Sequence, residues 1–351
     1  MEYQRESIFV SAIRSFSKVF FGVVAFFLAL FIISLVHSAL SSPFAPPDNT
    51  KIALLPDLKG NDDLVPMSAP AVLQISIEGV IGEPMKLDTE TMETILMASQ
   101  KDFLRGNRVK AILLKMNTPG GTVLDSDNIY RMLKSYKEKH NIPIFAYVNG
   151  LCASGGMYIA SAADKVFASP SSVIGSVGVI MGPFFNVVQT MQKIGMEAKT
   201  LTQGIDKDAL SPFRTWKPGE ENSMQAIMAF FYNRFVDIVT SARSRLDRQR
   251  LINEYGARIF DAPTAQEYGY IDVANVGYDT ALGELLAAAN IDPSSPYQVV
   301  ELSPKPDWLG PLVGENSIFR GRLEHSLDTG DRRSPAIRDQ FAYLYQPSSA
   351  P

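Results

Sequence analysis

The hydropathy pattern divides the chain into unlike parts. Residues 19–36 read VFFGVVAFFLALFIISLV with no charge among them. At 1.5 Å per residue such a helix nearly crosses a hydrocarbon core of about 30 Å. The stretch is long for the apolar core of a cleaved signal and has no polar face, so it predicts an uncleaved anchor over 19–40. Residues 41–70 carry Pro43, Pro46, Pro47, Pro56, Pro66 and Pro70. Proline lacks an amide donor and disfavours helix before it, so this segment is expected to be an extended tether.

Beyond it, apolar positions follow strand and helix periods in turn. Strands are expected at 71–82, 109–116, 142–148, 165–169 and 172–180. Helices are expected at 88–104, from Asp125 or Ser126 as cap to about 139, at 154–163, and as one long helix over 220–250. Arg243, Arg245, Arg248 and Arg250 close that last helix and read as its solvated final turn. Alternating βα units imply an α/β domain over 71–303. The periodicity fades afterwards, and 304–351 is expected to be a weakly ordered tail.

Charge orients the anchor. Arg5, Arg14 and Lys18 precede it, and Lys51 is the first basic residue after it. The positive-inside rule puts residues 1–18 in the cytoplasm and everything after about residue 40 on the far side. With 33 basic against 37 acidic residues there is no basic excess, which argues against a nucleic-acid partner. One cysteine, Cys152, excludes an internal disulfide and a cysteine-type zinc site, and no metal or organic cofactor is expected.

Two glycine-rich segments end predicted strands. Asn117-Thr118-Pro119-Gly120-Gly121-Thr122-Val123 lets a peptide approach the backbone closely and can aim amides at an oxyanion. Cys152-Ala153-Ser154-Gly155-Gly156-Met157-Tyr158 puts a serine where a strand turns into a helix. Either motif alone also suits a turn or a helix cap. A serine nucleophile needs a base, and His37, His140 and His325 are poorly placed for that. Lysine serves where burial disfavours its charged form. Lys207 lies in a turn-rich segment before Pro212, but its neighbours Asp206 and Asp208 would favour the charged amine unless they point away.

NTPGGTV, CASGGMYIASAADKVFA, SVIGSVGVI and GIDKDALSPF, in this order, resemble the Ser–Lys signal peptide peptidases of the SppA/SohB type. The likeness runs from about 72 to 290, and Gly269-Tyr270-Ile271-Asp272 stands where that family commonly has Gly-Leu-Val-Asp. The resemblance implies a Clp-protease/crotonase-like fold, a homo-oligomer, and a bacterial cytoplasmic (inner) membrane location. It implies Ser154 as nucleophile, Lys207 as general base, Ser176 as the residue orienting the lysine, and Gly120 or Gly121 with Gly155 as the oxyanion hole. It implies peptide substrates, signal peptides above all. The departures are Cys152 for alanine and Met157 for an aromatic residue, either of which would reshape a pocket wall. Cys152 is a poor alternative nucleophile because it is not at the helix start. A crotonase-type acyl-CoA enzyme and a non-catalytic membrane scaffold are the competing readings.

Overall fold

The computed structural model describes residues 8–40, 50–304 and 342–344. Two compact units divide at Asn49. The first holds α1 (Ile8–Leu40), a 33-residue helix. Its window Phe16–Ile33 has mean hydropathy 2.5 and none of it is buried by protein, so it is long and apolar enough to cross a membrane.

The second unit is built from β1 (Thr50–Leu55), β2 (Ala71–Glu78), α2 (Thr89–Ala98), β3 (Val109–Thr118), β4 (Gly120–Thr122), α3 (Val123–His140), β5 (Ile144–Ala153), α4 (Gly155–Ala160), β6 (Lys165–Ala168) and β7 (Val173–Gly175). It continues with α5 (Val188–Lys193), α6 (Asn222–Ala242), a single turn α7 (Arg248–Arg250), β8 (Ile259–Asp261), α8 (Ala262–Tyr268), α9 (Tyr278–Ala288), β9 (Gln298–Pro304) and β10 (Ala342–Leu344). The main sheet runs β1-β9-β2-β3-β5-β7-β8, with β6 also on β5. Its centre is parallel, and only the β1/β9 and β7/β8 pairs are antiparallel.

Parallel strands covered on both faces need apolar residues at nearly every position. Leu73, Ile75, Ile77, Ile112 and Leu114 pack to one side with Met92, Ile129, Leu133 and Tyr158 of the helices. Val72, Ala111, Leu113, Phe145 and Tyr147 pack to the other against Ala281, Leu282, Leu285 and Leu286 of α9. The α/β expectation holds.

Three local expectations need correction. Residues 50–70 are part of the folded unit rather than of a tether. The proline-free run TKIALL supplies β-formers and pairs antiparallel with β9 from Thr50↔Pro304 to Leu55↔Val299. The loop after it is held by buried Arg108, which donates to Ala69 O at 2.7 Å and Pro66 O at 3.2 Å. Residues 41–49 of the expected tether, and the expected tail apart from Pro304 and 342–344, lie outside the described residues. Second, α3 is capped by Thr122, whose Oγ1 accepts from Asp125 N–H, and not by Asp125 or Ser126.

Third, the helix expected over 220–250 stops at Ala242, because Arg243 is buried and not a solvated end. Its guanidinium donates to Asp272 Oδ2 at 2.7 Å and to the Ala163 carbonyl. The side chain thus ties the end of α6 to the loops after α4 and α8. Arg243→Ala would leave a buried carbonyl unpaired and Asp272, which is partly exposed, without its cation. We expect a loss of about 2–3 kcal/mol, read as a lower urea midpoint at unchanged m-value.

Candidate functional site

β5 is longer than its hydrophobic pattern suggests and carries the chain through Leu151-Cys152-Ala153, where it pairs with β7. Ser154 follows at φ 54°, ψ −117°, a conformation costly for a residue with a side chain, on the order of 1–3 kcal/mol. Two main-chain bonds hold it there. Ser154 N–H donates to Gly175 O at 2.9 Å, and Ser154 O accepts from Tyr158 N–H at 3.2 Å. The side chain is 1% exposed, and Ser154 Oγ has no hydrogen-bond partner among the described residues. A buried hydroxyl without a partner is expensive unless the site is meant to receive another group.

The helix that starts at Gly155 is locked from behind. Buried Tyr158 donates to Asp127 Oδ1 at 2.6 Å, which also takes Arg234 Nη2 at 2.7 Å, so α3, α4 and α6 meet at one carboxylate. Cys152 and Met157 are fully buried, with sulfur atoms 3.8 Å apart. They fill the core under the turn and do not line a pocket wall. Burial pushes the Cys152 thiol up to about 12, which removes it as a nucleophile.

The two glycine segments meet in space. A Cβ on Gly155 would lie 2.5 Å from Ser126 Oγ and 3.2 Å from Gly121 N. A Cβ on Gly121 would lie 1.8 Å from Ile81 O, an impossible contact. Both positions therefore require glycine, and Gly121 N lies close against Gly155, the residue that follows Ser154. Gly155 is the first residue of α4, so its N–H has no acceptor within the helix. Gly120 differs, since its N–H donates to Thr118 Oγ1 at 3.1 Å. Ile81 was not legible as a neighbour of this site, because it arrives from a separate segment, the loop after β2.

Ser176 follows β7 at φ 58°, is 5% exposed, and donates its N–H to Arg258 O at 2.7 Å. An apolar cavity of about 270 Å³ opens next to it, lined by Val177, Gly178, Val179, Met228, Ala229, Tyr232 and Ala257.

Lys207 is not gathered in. It lies in the turns of 204–210 and is exposed, as is Asp206. Asp208 is turned away to Arg214, at 2.7 Å to Nε and 3.0 Å to Nη2, and Arg214 Nη2 also reaches the buried Glu220 at 2.6 Å. The Arg214 hydrogen bonds hold the Asp208 and Glu220 carboxyls below the usual carboxylate range. Among the described residues no group of acidic, histidine and cysteine side chains could hold a metal ion.

Residues 136–292 match the model of peptidase family S49. An Enterococcus faecium protein described as a candidate signal peptide peptidase SppA is 29% identical over 253 residues, which is 70% of this chain and 72% of that one. Protease 4 of Salmonella typhi is 33% identical over 153 residues, 43% of this chain and only 24% of the relative. Among solved structures, a ClpP1 mutant from Listeria monocytogenes is similar at 17% identity and TM-score 0.40, covering 60% of this chain and 94% of that one.

The Arg214 pairing makes a testable brace for the segment that carries Lys207. Carboxylates with depressed folded-state values stabilise fully above the ordinary carboxylate range and lose that contribution as pH falls towards the depressed values. Limited proteolysis within 204–220 should stay slow down to about pH 4 and rise below it. Arg214→Ala should be cut there already at neutral pH.

Proposed function

We propose that the chain is a membrane-anchored serine peptidase that cleaves signal peptides or other membrane-associated peptides by acyl-enzyme chemistry. The observation that carries this is the buried, unpartnered Ser154 hydroxyl on a strained turn beside the Gly121 and Gly155 amides. The S49 match and the relatives described as SppA and protease 4 support the reaction class and the substrate class.

In this reading a neutral Lys207 amine takes the Ser154 hydroxyl proton as Oγ attacks the peptide carbonyl. The Gly121 and Gly155 N–H groups hold the oxyanion, a type of contact worth about 10²–10³ in rate per donor. The Lys207 ammonium then gives its proton to the leaving amine as the C–N bond breaks. Water attacks the ester, and Ser154 is regenerated. Ser176 keeps the amine aimed at Ser154, and the neighbouring apolar cavity takes an apolar side chain of the peptide.

A lysine acts as a base only where it is desolvated, and within one chain Lys207 is exposed. The same region exposes Ile180, Phe184, Phe185, Ile194, Met196, Leu201, Ile205 and Phe213. So much apolar surface on one segment suits packing against a second copy, which would bury Lys207 and complete the dyad in a homo-oligomer. Asp208, held by Arg214, does not then compete for the amine.

Lys207→Arg keeps the charge but cannot supply a base. It should fold and oligomerise yet turn over a small peptide ester at a rate lower by on the order of 10²–10⁴. Fluorophosphonate should label the wild-type chain and not Ser154→Ala, and labelling of that variant would remove Ser154 from the mechanism.

Arg14 and Lys18 before the apolar window favour a cytoplasmic N-terminus and an extracytoplasmic peptidase unit. An alkaline-phosphatase fusion after residue 303 should be active. Activity of a cytoplasm-only reporter at the same place would reverse the orientation.

A further inference from the structure

Ile81 touches both glycines whose amides are assigned above to the oxyanion. Its N–H donates to Gly120 O at 2.9 Å, and its carbonyl accepts from Thr122 N–H at 2.9 Å. These two bonds straddle Gly121 and, because a trans peptide points its carbonyl and following N–H to opposite sides, they fix the direction of the Gly121 N–H. The side chain of Ile81 reaches the other glycine, where a Cβ on Gly155 would lie 3.1 Å from Ile81 Cδ1. Whatever holds Ile81 therefore also holds the two donors.

The loop that carries Ile81 has two feet. The first stands on β3, with Gly79 N–H donating to Asn117 O at 3.0 Å and Thr118 Oγ1 donating to Gly79 O at 2.6 Å. Beyond Ile81 the chain turns through exposed Pro84, Met85 and Lys86, with Gly82 N–H closing on Leu87 O at 2.7 Å. The second foot is one carboxylate. Asp125 Oδ1 accepts from Thr89 N–H at 3.0 Å and from Thr89 Oγ1 at 2.6 Å, while Oδ2 accepts from Thr122 Oγ1 at 2.5 Å. Asn128 Nδ2 donates to Thr89 Oγ1 at 3.1 Å and completes the joint. Gly82 packs against it, since a Cβ there would lie 3.0 Å from Asp125 Oδ2.

Capping does not require this carboxylate. Thr122 Oγ1 already caps α3 by accepting Asp125 N–H, and Asp88 already caps α2 by accepting Thr91 N–H. Asp125 instead joins the first turn of α3 to the first residue of α2. Bonds to an ionised acceptor are about twice as strong as neutral ones, and both helix N-termini favour its charge.

We propose that Asp125 is a positioning residue for the oxyanion hole: its bridge from Thr122 to Thr89 clamps the Ile81 loop on β4 and so fixes the Gly121 and Gly155 N–H groups. The bridge is geometry, whereas its catalytic consequence rests on the peptidase reading. A displaced donor weakens the hold on the transition state and leaves substrate binding alone, so the loss falls on kcat and not on KM.

The test uses the full-length protein in detergent and the variants Asp125→Ala, Asp125→Asn, Thr89→Val and Asp125→Ala/Thr89→Val. Four quantities are measured: kcat and KM for a small peptide ester, and the affinities of a peptide aldehyde and of the same peptide without an electrophile. The aldehyde forms a hemiacetal with Ser154 Oγ and puts its oxygen where the oxyanion would stand. Asp125→Ala should lower kcat by about tenfold to thirtyfold at constant KM, part of what a whole donor is worth. Aldehyde affinity should fall by the same factor, and affinity for the plain peptide should hold. Partial unfolding would scale kcat but leave both affinities as they were, and that result would overturn the proposal. Asp125→Asn and Thr89→Val should each show a smaller loss of the same kind, and they carry the comparison if Asp125→Ala does not fold. The double variant should be no worse than Asp125→Ala, because both changes cut one bridge. Equal losses for aldehyde and plain peptide, or faster turnover in Asp125→Asn, would also overturn it. An inactive wild type that fluorophosphonate does not label would defeat the peptidase reading. Hydrogen exchange at the Thr122 amide then decides the bridge: exchange at least tenfold faster in Asp125→Ala supports the clamp, and unchanged exchange rejects it.

Discussion

The contact between Gly121 and Ile81 sets the geometry of everything around Ser154. No side chain fits at Gly121, because the Ile81 carbonyl already occupies the space where a Cβ would stand. That closeness lets two main-chain hydrogen bonds pin β4 along the loop after β2. Once pinned, the strand can aim the Gly121 N–H in only one direction, away from Ile81. Gly155 repeats the requirement from the other side, with Ser126 and Gly121 pressed against its Cα. The two glycines are needed because three backbone segments converge there.

The strained turn persists because its surroundings are rigid. Ser154 adopts a positive φ while β7 takes its N–H and α4 takes its carbonyl. α4 is only six residues long, too short to be stable by itself. It is held by burial of Met157 and Tyr158 and by the Asp127 carboxylate, which joins α3, α4 and α6. The cost of the turn is thus offset by packing and hydrogen bonds several residues away from the hydroxyl.

The lysine segment obeys a different logic. Its brace, Asp208–Arg214–Glu220, is internal to the segment, and its apolar residues face solvent. Apolar surface exposed in this way suits packing against a partner. In the proposed function that partner is a second copy.

Hydropathy was enough to locate the apolar N-terminal helix, the main strands and the helices on them, because burial on both faces of a parallel sheet leaves long apolar runs that survive in sequence. Ser154, Gly121 and Gly155 were legible for a related reason: residue types with special backbone freedom or reactivity stand out wherever they cluster. What the sequence could not show was distance. TKIALL looks like part of a proline-rich tether until β9, more than two hundred residues later, offers it an edge. Arg243 looks like one of several solvated arginines until Asp272 and the Ala163 carbonyl surround it. Of two adjacent glycines, Gly120 spends its N–H on Thr118 and Gly121 does not, a choice made by which side of one strand Ile81 occupies. Local patterns follow from the chain's own covalent geometry, whereas these outcomes depend on contacts between remote segments, and only folding brings those together.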